Sequence, residues 1–170
     1  QQGLTLNDGG ALINQAAAIM TLNEITGNGA LINNGDVYFN GVTLNHSVTG
    51  SGTFVVNNDV VSNANIAQSI NINTDKSLTI DILKLQGNVT NNGRLVITGD
   101  GELVNQISGI GVINITNAVS SNANNFGGSI VNDGMLQLTA GTVSHDISGQ
   151  DGTVNITGAV QNNASISQKV

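Results

Sequence analysis

Apolar and polar residues alternate in short runs along the whole chain, and the same turn phrases punctuate the runs. Phe54 and Val56, Ile113 and Ile115, and Val154 and Ile156 each carry this period of two, which predicts strands with one buried face. Each run follows a glycine phrase: Val48-Thr49-Gly50-Ser51-Gly52, Ile107-Ser108-Gly109-Ile110-Gly111 and Ile147-Ser148-Gly149-Gln150-Asp151-Gly152. A further copy, Ile25-Thr26-Gly27-Asn28-Gly29, precedes them, and the successive onsets lie about one, three and two multiples of roughly 20 residues apart. Beyond the strands the match continues through Val60, Val119 and Val160 to the pairs Asn63-Ala64, Asn122-Ala123 and Asn163-Ala164.

A second phrase alternates with the first. It reads Leu31-Ile32-Asn33-Asn34-Gly35, Val89-Thr90-Asn91-Asn92-Gly93 and Ile130-Val131-Asn132-Asp133-Gly134, each followed by a new alternating run. Asn-Gly and Asp-Gly are turn dipeptides that tolerate positive φ, and between strands they would ordinarily signal hairpins. The coil-length period favours a different solution, in which the chain winds in one sense and each strand lies over its counterpart. The expected fold is therefore all-β, a single-stranded right-handed parallel β-helix of roughly eight coils of about 20 residues, about 40 Å long at the ~4.8 Å strand spacing. Stacking of this kind lets aligned Asn side chains bond one another along the axis, on the outside of the rod. The absence of proline agrees with strands whose every N–H is needed in a ladder.

No linker or charge block divides the chain, so residues 1–170 read as one domain. Residues 1–24 are expected to form an N-terminal cap or an irregular first coil, in which Gln15 to Met20, a poor fit to the pattern, make a short helical turn or a cap. Thr74 to Leu85 has no clear register. The chain starts with Gln and carries no basic-then-apolar leader, as expected of a processed product or an excised piece of something longer.

Composition narrows the function. Charged residues are 9% and aromatics 2% of the chain, with Asn, Thr, Ser and Gln taking the polar role, which suits columns of stacked side chains where like charges would repel. The net charge is -7 and only Lys76, Lys84, Arg94 and Lys169 are basic, too few to neutralise a phosphate backbone, so nucleic acid is excluded as a partner. No apolar run reaches the roughly 18 residues of a spanning helix, so this segment is not expected to insert in a membrane. With no cysteine, disulfide and thiolate chemistry are absent.

The phrases Gly27-Asn28-Gly29-Ala30-Leu31-Ile32-Asn33, Gly50-Ser51-Gly52-Thr53-Phe54-Val55-Val56 and Asn91-Asn92-Gly93-Arg94-Leu95-Val96-Ile97-Thr98-Gly99 resemble the repeats of exported bacterial β-helix proteins. Those are the passenger regions of autotransporters and the filamentous-haemagglutinin-like adhesins. The resemblance covers nearly the whole chain and implies an extracellular or cell-surface location. It also implies a non-enzymatic structural or adhesive stalk, anchored through parts outside this segment, whose partner is a receptor or glycan of a host or neighbouring cell. End-to-end or side-by-side self-association is a further expectation. The rival readings are a polysaccharide lyase or hydrolase, an ice-binding solenoid and a self-assembling stack. An enzyme of that kind needs paired carboxylates or a strong base with cations, and an ice-binding face needs Thr-x-Thr in register, whereas Thr74 and Thr139 stand among mixed neighbours.

Few residues suggest chemistry. Asp36 and Asp59 occupy the same place relative to Ile25 and Val48, a spacing that would set two carboxylates about 5 Å apart on adjacent coils. Asn34, Asn57 and Asn58 would supply further oxygens for a cation such as calcium, although solvated carboxylates are the simpler expectation. His46 and His145 each precede a glycine phrase and lie about five coils apart, roughly 24 Å, too far to share a metal. No catalytic set and no cofactor is expected, since no Gly-x-Ser-x-Gly elbow marks a nucleophile. Tyr38 is expected to project outward, where a single ring makes a poor sugar platform.

Overall fold

In a computed structural model, which describes residues 4–170, every strand pairing is parallel, and the strands stack as a β-solenoid of about 9 turns. The chain visits three walls in strict rotation. The first wall opens with Leu4–Leu6 beside Ile25–Gly27. It continues as seven strands: Thr43–Leu44, Val60–Ser62, Ser77–Asp81, Arg94–Thr98, Val112–Ile115, Ile130–Asn132 and Ile147–Ser148. The second runs from Ala11–Asn14, Ala30–Asn33 and Val48–Thr49 through single bridges at Ile66 and Leu85. It resumes at Gly101–Leu103, Ala118–Ser121, Met135–Leu138 and Thr153–Ile156. The third carries Ile19–Leu22, Asp36–Phe39, Thr53–Val56, Ser69–Ile72, Val89–Asn91 and Ile107–Ser108, then a bridge at Phe126 and the pair Gly141–Val143 and Val160–Asn162.

Alternation does what its period requires. Leu78, Leu95, Ile113, Ile130 and Ile147 form one inward column of the first wall, and Val37, Phe54, Ile70, Val89 and Ile107 one of the third. All are buried in a single aliphatic core. Its aromatic content in the early turns is the tilted pair Phe39 and Phe54, with ring centroids 5.6 Å apart. At the two ends the core is only partly covered, by Leu4, Leu12 and Met20 and by Val160, Ala164 and Ile166.

The turn is shorter than the phrases suggested. Paired residues are 16 apart at Thr53 and Ser69, 18 apart at Ile97 and Ile115, and 21 apart at Leu4 and Ile25. The reason lies in the walls. Ile25 sits on the first wall, Val48 on the second, Ile107 on the third and Ile147 on the first again. Each recurrence of the glycine phrase has advanced by whole turns plus one wall, so whole multiples of 20 overstate the coil. The phrase marks a corner, and the three corners accept it equally.

The two phrases are also stacked partners. Gly52 N donates to Asn33 O, and Gly111 N to Asn91 O, both at 2.9 Å. A glycine phrase thus lies one turn above each Asn-x-Gly phrase. The fit leaves no room for a side chain: a Cβ on Gly52 would lie 1.9 Å from Gly35 O.

The start of the chain differs from expectation. Ala11–Asn14 and Ile19–Leu22 are regular strands in register with the next turn. Between them Ala18 N bonds Gln15 O at 3.1 Å, with Ala17 at φ 61. The alanine run therefore closes a corner instead of a helical turn, because its flanking apolar residues already have ladder partners. Of the expected cap, Gln1 to Gly3 lie outside the described residues. Thr74 to Leu85 resolves into the strand Ser77–Asp81 and a 3-10 turn, Ile82–Lys84, capped by Asp81 Oδ1 accepting from Leu83 N at 2.9 Å.

Candidate functional site

The corners hold amides in two different ways. On the inside, Asn33, Asn91 and Asn132 end strands of the second, third and first walls and are 0–1% exposed. Their Nδ2 groups donate to Thr53 O at 3.0 Å, Val112 O at 3.0 Å and Thr153 O at 3.1 Å, one turn on. Asn33 and Asn132 also donate to the Oε1 atoms of Gln68 and Gln168, two turns above. On the outside, Asn40, Asn57 and Asn73 form a ladder, each Nδ2 donating to the Oδ1 of the residue one turn below, down to Asn23, over 3.2, 2.7 and 3.1 Å. The expectation of amides aligned outside thus describes this column, while the first Asn of each Asn-x-Gly phrase is an interior strut.

The carboxylate pair is not assembled. Asp36 opens a third-wall strand opposite Ile19 and Thr53, whereas Asp59 precedes a first-wall strand and accepts from Ser77 Oγ at 2.9 Å. Their shared place relative to Ile25 and Val48 does not mean adjacency, because those two residues lie on different walls. Nor do the amides gather round them: Asn34 accepts from Ser51 N at 3.2 Å, and Asn58 donates to Asn40 O at 2.9 Å. Among the described residues no three His, Cys, Asp or Glu side chains are placed to hold a metal ion together.

The histidines occupy different corners. His46 follows the first-wall strand Thr43–Leu44 and is buried with neither ring nitrogen hydrogen-bonded. His145 follows third-wall Val143, and its buried Nδ1 is also unpartnered, beside a small cavity of about 10 Å³ lined by Phe126, Leu138 and Ile147. Asp146, next to it, accepts from Ser165 N at 2.9 Å and so braces the turn above. Tyr38 lies on the outer face of the third wall between Thr21 and Val55. The outward column of the first wall reads Thr43, Val61, Thr79, Val96, Asn114, Val131, a mixed series and not a threonine array.

One groove gathers groups that the assumed period of 20 kept apart. It is an open groove of about 500 Å³ at the corner between the third and first walls. Lys76 and Arg94 lie on successive turns there, joined by Arg94 N donating to Lys76 O at 2.9 Å. They are 18 residues apart, within the 16 to 21 that separate paired residues, and that spacing was the available sequence signal. Arg94 Nε donates to Oδ1 of the buried Asn114 at 2.8 Å. Asp59 and Asp75 line the same groove, yet neither cation is in an ion pair among the described residues. One turn above Arg94 stands Val112, with Ile110 beside it 90% exposed.

Comparison of the chain with protein-family models, with curated proteins and with solved structures returns no match.

Proposed function

We propose that this chain is a non-enzymatic rod, a structural and adhesive stalk segment of a secreted or surface-displayed bacterial protein. It works outside the cell and needs no cofactor. The observation that carries the reading is the unbroken rotation of parallel strands, about 9 turns around one aliphatic core. In such a stack each turn contacts only its neighbours, so length grows with the number of turns while the cross-section stays constant. A rod suits presentation of a surface at a distance, and its paired strands leave few backbone groups open to a protease. Its partner is a receptor or a glycan on a facing surface.

The test is display of the segment on a non-adherent bacterium, with attachment to host cells and to glycan-coated surfaces counted against a cell displaying an unrelated domain. Attachment should increase several-fold. Unchanged attachment, or release of sugar from a polysaccharide incubated with the purified chain, would overturn the reading.

A further inference from the structure

The geometry points to the corner groove as a docking site for an acidic glycan, one whose pyranose rings carry carboxylates. This names a ligand class for the adhesive rod and takes its biological use from that reading. Net charge is -7 with four basic residues in all, and two of the four stand on successive turns of this one groove, which makes its lining formally neutral beside Asp59 and Asp75 in an otherwise acidic chain. Among the described residues neither is held in an ion pair with those carboxylates. The bond from Arg94 Nε to buried Asn114 fixes the guanidinium plane and leaves the two terminal nitrogens for a planar, bidentate carboxylate. Lys76 supplies a mobile second charge.

The rest of the lining suits a sugar. Ile110 and Val112 form an exposed apolar shelf that the C–H face of a pyranose can cover. Asp59 and Asp75 are acceptors for ring hydroxyls, groups that a peptide of acidic residues does not offer. An extended peptide would moreover bind by adding a strand to a free edge. Here Ser77–Asp81 and Arg94–Thr98 are each paired on both sides, so no edge is offered. Two cations are also too few for a nucleic acid.

The test is NMR titration of the isotopically labelled chain with a galacturonate trisaccharide, against a galactose trisaccharide, a glutamate tripeptide and inorganic sulfate. The uronate should shift the Arg94 Nε–H signal and the Ile110 and Val112 methyls. Its affinity should fall as salt rises from about 20 to about 200 mM and the Debye length shrinks from roughly 20 to roughly 7 Å. K76Q/R94Q should weaken binding tenfold or more. Ile110→Glu, at an exposed position, should do likewise without disturbing the fold, and K169Q should change little. The proposal is overturned if the uronate causes no shifts. Equal binding of the neutral sugar or of sulfate alone, tighter binding of the peptide, or an equal loss in K169Q would overturn it too. A failed titration with attachment retained in the display assay removes the groove alone; a positive titration without attachment removes the stalk.

Discussion

His46 is a buried side chain whose two ring nitrogens meet no partner. Two polar ring nitrogens have left water without replacement, and each such orphan costs about 1–3 kcal/mol. Its position explains how it survives: Asn45, beside it, accepts from Asn63 on the next turn at 2.9 Å, so the corner is held from outside. His46→Leu should therefore stabilise the chain by about 1–2 kcal/mol, read as a higher midpoint in thermal unfolding. A lower midpoint would show that the ring's shape matters more than its polarity. The sequence placed His46 in a turn; its burial follows the alternation of Leu44, His46 and Val48, all three buried, a period that its polarity masked.

At the scale of the element, the recurring unit is a corner, built from an Asn-x-Gly phrase and the glycine phrase stacked on it. The interior strut does the joining. Asn91 donates to Val112 O and accepts from Gly93 N at 3.2 Å, so it ties its own turn to the next. Asn91→Ala should cost about 2–4 kcal/mol by stranding both groups. Asn92→Ala, half-exposed and one residue on, should stay within about 0.5 kcal/mol. Denaturant midpoints of the two variants check the contrast, and equal losses would refute it. Both phrases were plain in the sequence, and so were the strands after them. What stayed hidden was that one phrase sits over the other, since stacking joins residues a full turn apart and the turn length had been inferred from the phrases themselves. Dividing 59 or 40 residues by a whole number of turns, when a third of a turn also belonged in the count, lengthened the coil. Taking the step from Ile25 to Val48 as one turn likewise set Asp36 beside Asp59, and the long coil concealed the axial neighbours Lys76 and Arg94.

For the whole molecule, the parallel stack with aliphatic groups inside was legible from alternation and recurrence alone. The rotation through three walls was not, because nothing in the residues distinguishes one corner from another. This equivalence makes the turn the natural unit of length. Leu78 pairs with Leu95, so removing residues 78–94 should rejoin equivalent positions and leave a shorter rod that melts cooperatively. Removing 78–86, about half a turn, would join two different walls and should abolish cooperative melting. Circular dichroism melts and small-angle scattering of the two deletions decide the matter, and loss of folding in both would contradict nearest-neighbour stacking.

The one-wall advance of the corner unit has a further consequence. Two rulers of unequal graduation run along this chain, the turn and the phrase, and they behave as a vernier. Slide the chain by a single winding at one of these corners and the strands would still find aliphatic neighbours, but a residue with a side chain would fall where only a glycine fits, as at Gly52, whose Cβ would lie 1.9 Å from Gly35 O. A self-similar sequence thereby acquires fixed addresses at the corners of Asn33, Asn91 and Asn132.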